Sequence, residues 1–163
     1  MKFLSLLAVL LLNLNLFSQT APQKPLPSTK PAEDYSGAYS FLQDGELVQL
    51  NIEDEDKVTG FVQRYGDGET DRGLFLDHFF KEAKLEGKNL KFSTKTVHGI
   101  SYDFKGTVER GEGKKAGDEA YYVLKGTLIQ SNVDSQQKTT TKTRDVVFKA
   151  FPQDLGDARQ KKD

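Results

Sequence analysis

Along the middle of the chain, apolar and polar residues alternate with a period of two. In SYDFKGTVER, Tyr102, Phe104, Gly106 and Val108 share one face, while Ser101, Asp103, Lys105, Thr107 and Glu109 share the other. A half-buried antiparallel strand needs this pattern. The stretch YYVLKGTLIQ repeats it less purely, with Tyr122, Leu124, Gly126 and Leu128 on one side and Tyr121, Val123, Lys125, Thr127 and Ile129 on the other. Further back, Val48, Leu50 and Ile52 oppose Leu47, Gln49, Asn51 and Glu53, and the turn EDEDK returns the chain so that Ile52 faces Val58, with Gly60 and Val62 inward.

Register tests the next connections, because a one-residue slip turns every side chain to the opposite face. A three-residue loop Val97 to Gly99 pairs Thr96 with Ile100, Thr94 with Tyr102 and Phe92 with Phe104, whereas a two-residue turn at His98 and Gly99 sets Lys95 against Tyr102. The three-residue loop is therefore expected. By the same reasoning Leu85 faces Leu90 and Ala83 faces Phe92. In LFLDHFFKEAKL, residues 74 to 85, alternation fails at the paired phenylalanines; a strand is expected there, with a short helix as the alternative.

These segments predict about eight strands, near residues 36–42, 46–53, 57–65, 74–85, 89–97, 100–109, 120–131 and 139–151. Every connection is short enough for a hairpin, so the fold class is all-β, an antiparallel up-and-down meander. Eight meandering strands close naturally into a barrel, which removes exposed sheet edges. Gly37, Gly60, Gly106 and Gly126 all fall inward, although a mid-strand glycine costs roughly 0.5 to 1 kcal/mol relative to alanine. That cost fits a closed sheet that must bend, or a neighbouring ring that needs room.

Outside residues 35–152 the pattern changes. Lys2 followed by the apolar run Phe3 to Leu12 reads as a signal peptide over residues 1–18, with cleavage after Ser18 or Thr20; a retained membrane anchor is the alternative. The apolar stretch ends by Phe17, short of the roughly 20 residues of a spanning helix. A secreted or periplasmic location follows, with no stable membrane insertion after cleavage. Residues 19–34, QTAPQKPLPSTKPAED, hold four of the five prolines and read as a linker; residues 153–163 form a polar tail. The 163 residues include no cysteine, so no disulfide supports the fold. With 23 basic and 24 acidic side chains interspersed, nothing suggests nucleic acid as a partner.

The strand count and spacing over residues 35–151 resemble the calycin group of lipocalins, fatty-acid-binding proteins and avidins. Lipocalins carry Gly-x-Trp on the first strand and an arginine near the end of the barrel; this chain has Gly37-Ala38-Tyr39 and Arg144. The repeats Phe104 to Val108 and Leu124 to Leu128 are similar to the apolar-x-Gly-x-apolar strands of avidins. The chain has no tryptophan, so the residues through which avidins contact biotin have no counterpart.

Catalytic chemistry has little to draw on. Asp77 and His78 are adjacent, so on a strand they point to opposite faces, and His98 is expected as an exposed turn residue. No nucleophile elbow, phosphate loop or dinucleotide fingerprint occurs, and no cofactor is implied. The loop Asp67 to Gly73 has carboxylates at alternate positions but Arg72 where a calcium loop needs glycine, and Glu53 to Asp56 reads as a solubilising hairpin end. Tyr121, Val123 and Ile129 make one strand apolar on both sides, which requires a covering segment or an association surface. The expected function is non-enzymatic binding of a small, mostly apolar ligand inside the barrel. Its candidate lining is Tyr39, Phe41, Phe92, Tyr102, Phe104, Tyr122, Leu124, Phe148 and Arg144. The alternative is a structural or protein-interaction module whose barrel is filled by those same side chains.

Overall fold

The structure, a computed structural model, describes residues 34–40, 45–53 and 57–153. The leader, almost all of the linker, Phe41, the centre of the EDEDK turn and all but the first residue of the tail lie outside the described residues. Eight strands follow in order: β1 (Gly37–Ser40), β2 (Leu47–Ile52), β3 (Val58–Tyr65), β4 (Phe75–Glu86), β5 (Asn89–Thr94), β6 (Ile100–Arg110), β7 (Tyr122–Val133) and β8 (Thr139–Ala150). Each pairs antiparallel with the next, and β1 pairs with β8 to close the barrel. No helix occurs among the described residues. This closed eight-stranded meander has the calycin-like architecture that the resemblance implied.

Most expected registers are present. Ile52 pairs with Val58, Leu85 with Leu90, Ala83 with Phe92, and Phe92 with Phe104. Residues 75–86 are strand rather than helix. Alternation fails there because the register shifts between Phe80 and Glu82: Lys81 and Glu82 are both exposed, and Ala83 turns inward again. The extra residue lets His78, Phe80, Ala83 and Leu85 all serve the interior.

The turn after β5 differs from expectation. Val97 pairs with Ile100 through two backbone hydrogen bonds of 2.9 and 3.0 Å, so the turn holds two residues, His98 and Gly99. Both have positive φ, +49° and +79°, as a two-residue hairpin turn matched to strand twist requires. The inner pair Phe92–Phe104 survives because one residue is absorbed in between. Lys95 donates its amide to the Phe79 carbonyl on β4, and the Tyr102 amide donates to Thr94 Oγ1 at 2.9 Å. Only an unbroken ladder from turn to core would have required the three-residue loop.

Inside the barrel, one end is filled by rings. Phe80 stacks on Phe92 (4.3 Å between centroids), Phe92 on Phe104 (5.1 Å), and Phe104 leans on Phe148 (5.9 Å). Leu50, Leu90, Leu124 and Val108 pack around this column, all with at most 1% of their surface exposed. Gly106 and Gly126 stand directly opposite each other on β6 and β7. A Cβ on Gly106 would lie 2.3 Å from the Lys125 carbonyl oxygen and 2.6 Å from Phe104 Cζ. Both reasons expected for inward glycines, close backbone approach and room for a ring, meet at this pair. On the outer face of β7, Val123 is buried against Gly111 of the long β6–β7 connection, whereas Ile129 remains exposed. That connection is the covering segment for part of the strand.

Candidate ligand-binding site

The other end of the barrel is polar. Alternation along β3 runs Val58, Gly60, Val62, Arg64, and carries Arg64 inward, where it is 6% exposed. Val62 pairs with His78 of β4, so His78 also points inward, and it is wholly buried. Tyr102 of β6 meets the His78 ring edge to face at 5.1 Å. Arg144 of β8 lies opposite the buried Leu128, and its Nη1 is 3.7 Å from Oε2 of Glu46, the residue before β2. Five polar side chains from five positions around the barrel thus gather at this end, its mouth.

Their partners are unequally supplied. Arg64 Nη1 donates to the Tyr65 carbonyl at 2.7 Å and to Asp67 Oδ1 at 3.1 Å, which ties the β3–β4 loop to the mouth. That loop is further fixed by Asp71, whose Oδ1 accepts from the Gly68 amide and whose Oδ2 is 2.8 Å from Nδ1 of His98 at the β5–β6 turn. By contrast, Arg64 Nε has no hydrogen-bond partner among the described residues, Glu46 Oε2 has only the long contact of 3.7 Å with Arg144, and the ring nitrogens of His78 make no hydrogen bond of good geometry, with weak support from the Ile100 and Lys95 backbone alone. A buried polar atom left without a partner costs about 1–3 kcal/mol.

Burial sets the charge states. Desolvation, and then the Arg64 guanidinium, lower the His78 pKa, against smaller opposing contributions from the Ile100 and Lys95 backbone and from Asp77. The imidazole is neutral at neutral pH, with one donor and one acceptor nitrogen. Desolvation raises the Glu46 pKa, opposed by Arg144, Arg64 and Lys142. The Tyr102 phenol is pushed up to about 12, chiefly by burial, and stays protonated. This end therefore holds two arginines, a neutral imidazole and a protonated phenol beside the apolar core. Such a set suits a small ligand with a polar head.

Of the residues expected to line a site, Tyr39, Phe92, Tyr102, Phe104, Leu124 and Phe148 belong to one buried core cluster. Only Tyr102 also reaches the polar mouth, where it is joined by Arg144. Tyr122 is half-buried at the opposite end beside Tyr35, at 4.9 Å. Phe41 lies outside the described residues. Sequence reasoning missed Arg64, His78 and Glu46. Arg64 continues the β3 alternation and was visible in principle, but its charge argued for solvent. His78 was hidden by the register shift two residues on. Asp77 points away from His78, and its Oδ1 accepts from Gln63 Nε2 at 2.8 Å on the outer face. His98 keeps about half its side chain exposed, and no group of three metal-ligating side chains occurs among the described residues.

No protein-family model matches the chain, and neither does any curated protein. Among solved structures, the chain is similar to apo short afifavidin, at 15% identity over 71% of this chain and 94% of that one, with a TM-score of 0.49. The fold described here rests on the strand order and closure themselves.

Proposed function

We infer that this protein is an exported, non-enzymatic barrel that binds a small, mostly apolar ligand through one polar head. The head would sit at the mouth among His78, Arg64, Arg144 and Glu46, and the apolar body would rest on Tyr102 and Leu128. One observation carries the reading: a histidine with none of its surface exposed, inside a closed barrel, whose ring nitrogens make no hydrogen bond of good geometry and have only weak support from the Ile100 and Lys95 backbone. Such a group lowers stability, and a fold that places it in its interior gains when a ligand completes its hydrogen bonds. Export rests on the leader pattern of Lys2 and Phe3 to Leu12.

The filled-barrel module is favoured by a different observation. Tyr39, Tyr102 and Phe148 are fully buried, and the ring column fills the apolar end. The two readings part at the mouth. Native mass spectrometry of the wild-type protein, purified from its own host, should show a retained small molecule that His78→Phe loses. A bare protein mass for the wild type, with a crystal structure in which the His78 nitrogens contact only water, would leave the filled module.

A further inference from the structure

On the outer face of β3 and β4, cross-strand pairs repeat about a centre. Gln63 pairs with Asp77, and its Nε2 donates to Asp77 Oδ1 at 2.8 Å. On one side of this pair Phe61 meets Phe79, edge to face at 5.6 Å; on the other, Tyr65 stacks on Phe75 at 4.5 Å. Tyr65, Leu74, Phe75 and Phe79 are 45%, 57%, 56% and 53% exposed. The outer face of β5 and β6 instead presents Lys91, Asp103 and Lys105, the ordinary solvated pattern. The adjacent phenylalanines of LDHFF thus divide: Phe80 enters the ring column, and Phe79 stands on the surface.

A half-exposed ring leaves roughly 100 Å² in water, so these three rings with Leu74 present on the order of 400 Å². A contiguous apolar patch of that size commonly marks an interaction surface. It is about half of the roughly 800 Å² that each partner gives to a stable interface, and so matches the apolar core that such an interface surrounds with a polar rim. The shape also complements itself. Beyond Phe61 and Phe79 lies a hollow of about 430 Å³, lined also by Thr59 and Lys81, where Gly60 carries no side chain. Beyond Tyr65 and Phe75, on the other side of the centre, stands the exposed Leu74. Knob and hollow therefore flank the Gln63–Asp77 pair on opposite sides, as a two-fold contact requires.

We propose that this face joins two copies of the chain as a dimer, whatever the mouth binds, with a two-fold axis crossing both strands at the Gln63–Asp77 pair. Such an axis lays β3 on β3 and β4 on β4 of the second copy, running in opposite directions. Phe79 then meets the partner's Phe75, Phe61 meets the partner's Tyr65, and Leu74 enters the hollow of the second copy. Sedimentation of the protein purified from its own host should show a dimer at about 50 μM. Phe79→Glu and Phe75→Lys should each leave a monomer with an unchanged far-ultraviolet spectrum, because each sets a charge against a ring in the interface. Within one chain the two positions are too far apart along β4 to pair. Across the proposed axis they face each other, so the double variant should recover the dimer. Leu74→Asp, outside the strands, should also leave a monomer and keeps the test open if a strand variant misfolds. A monomeric wild type would overturn the proposal, whether the leader, the linker or another protein then covers the face. So would a dimer that survives Phe79→Glu or Leu74→Asp, or a folded double variant that stays monomeric.

Discussion

His78 concentrates the trade between stability and chemistry in one side chain. Phenylalanine in its place would keep the ring contact with Tyr102 and remove two buried nitrogens that the Ile100 and Lys95 backbone supports only weakly. His78→Phe should therefore raise the free energy of unfolding by about 1–2 kcal/mol, a rise in Tm of roughly 3–6 °C for a domain of this size. The pH response follows from the same group. An unfolded imidazole titrates near its ordinary 6.5, while burial and Arg64 lower the folded value. As pH falls below 6.5, the unfolded chain takes up a proton that the folded barrel resists, so stability present above 6.5 is lost through the window down to the folded pKa. Glu46 acts with the opposite sign: its pKa is raised from 4.5, so its contribution is present below that value and lost as pH rises. Glu46 is common to both proteins, so urea melts at pH 7.5 and 5.5 should show a steeper loss for wild type than for His78→Phe. Parallel losses would show that His78 does not titrate as its burial requires.

At the scale of strands, the facing pair Gly106 and Gly126 tests how tightly β6 and β7 approach. A methyl on Gly106 would come within 2.3 Å of a backbone oxygen and 2.8 Å of Gly126 Cα, and neither can rotate aside. Gly106→Ala should cost about 1–3 kcal/mol, measurable as a lower urea midpoint at an unchanged slope. Because the two Cα positions touch, Gly126→Ala in the same chain should add less than its separate cost. An unaffected midpoint for Gly106→Ala would mean that the strands yield at no cost. These glycines were legible because each interrupts an otherwise clean alternation on the inward face. The eight strands and their inner registers were legible for the same reason: a core on one side permits one phase of the period. Local departures from that period were not. The shift between Phe80 and Glu82 and the residue absorbed near Lys95 each insert one position, and no side chain in either segment marks an insertion. Since the Phe80 shift conceals the facing of His78, the polar mouth was hidden along with it. Its arginines were obscured because charge on a strand ordinarily marks the solvent face.

For the whole molecule, closure is uneven. Among the described residues, β6 pairs with β7, and β7 with β8, through 11 residue pairs each, whereas β1 joins β8 through two pairs, Tyr39 with Ala150 and Ser40 with Lys149. Just beyond this seam, the Phe151 amide donates to the Ala38 carbonyl at 2.8 Å. Cooperative opening begins where the fewest ladder bonds and the least buried surface are lost. The amides of β1 and of Phe151 should therefore exchange with solvent well before those of β6 and β7. Tyr39 opposes that opening from within: it is 1% exposed, and its hydroxyl donates to the Tyr35 carbonyl at 2.7 Å, binding the incoming chain to β1. Tyr39→Phe removes only that bond, whose net value is about 1 kcal/mol, so exchange along β1 should quicken by roughly fivefold while β6 and β7 keep their rates. If every amide in the barrel instead exchanged at one common rate, the seam would open only when the whole molecule unfolds, and the short β1–β8 pairing would have to be as strong as the long ladders beside it.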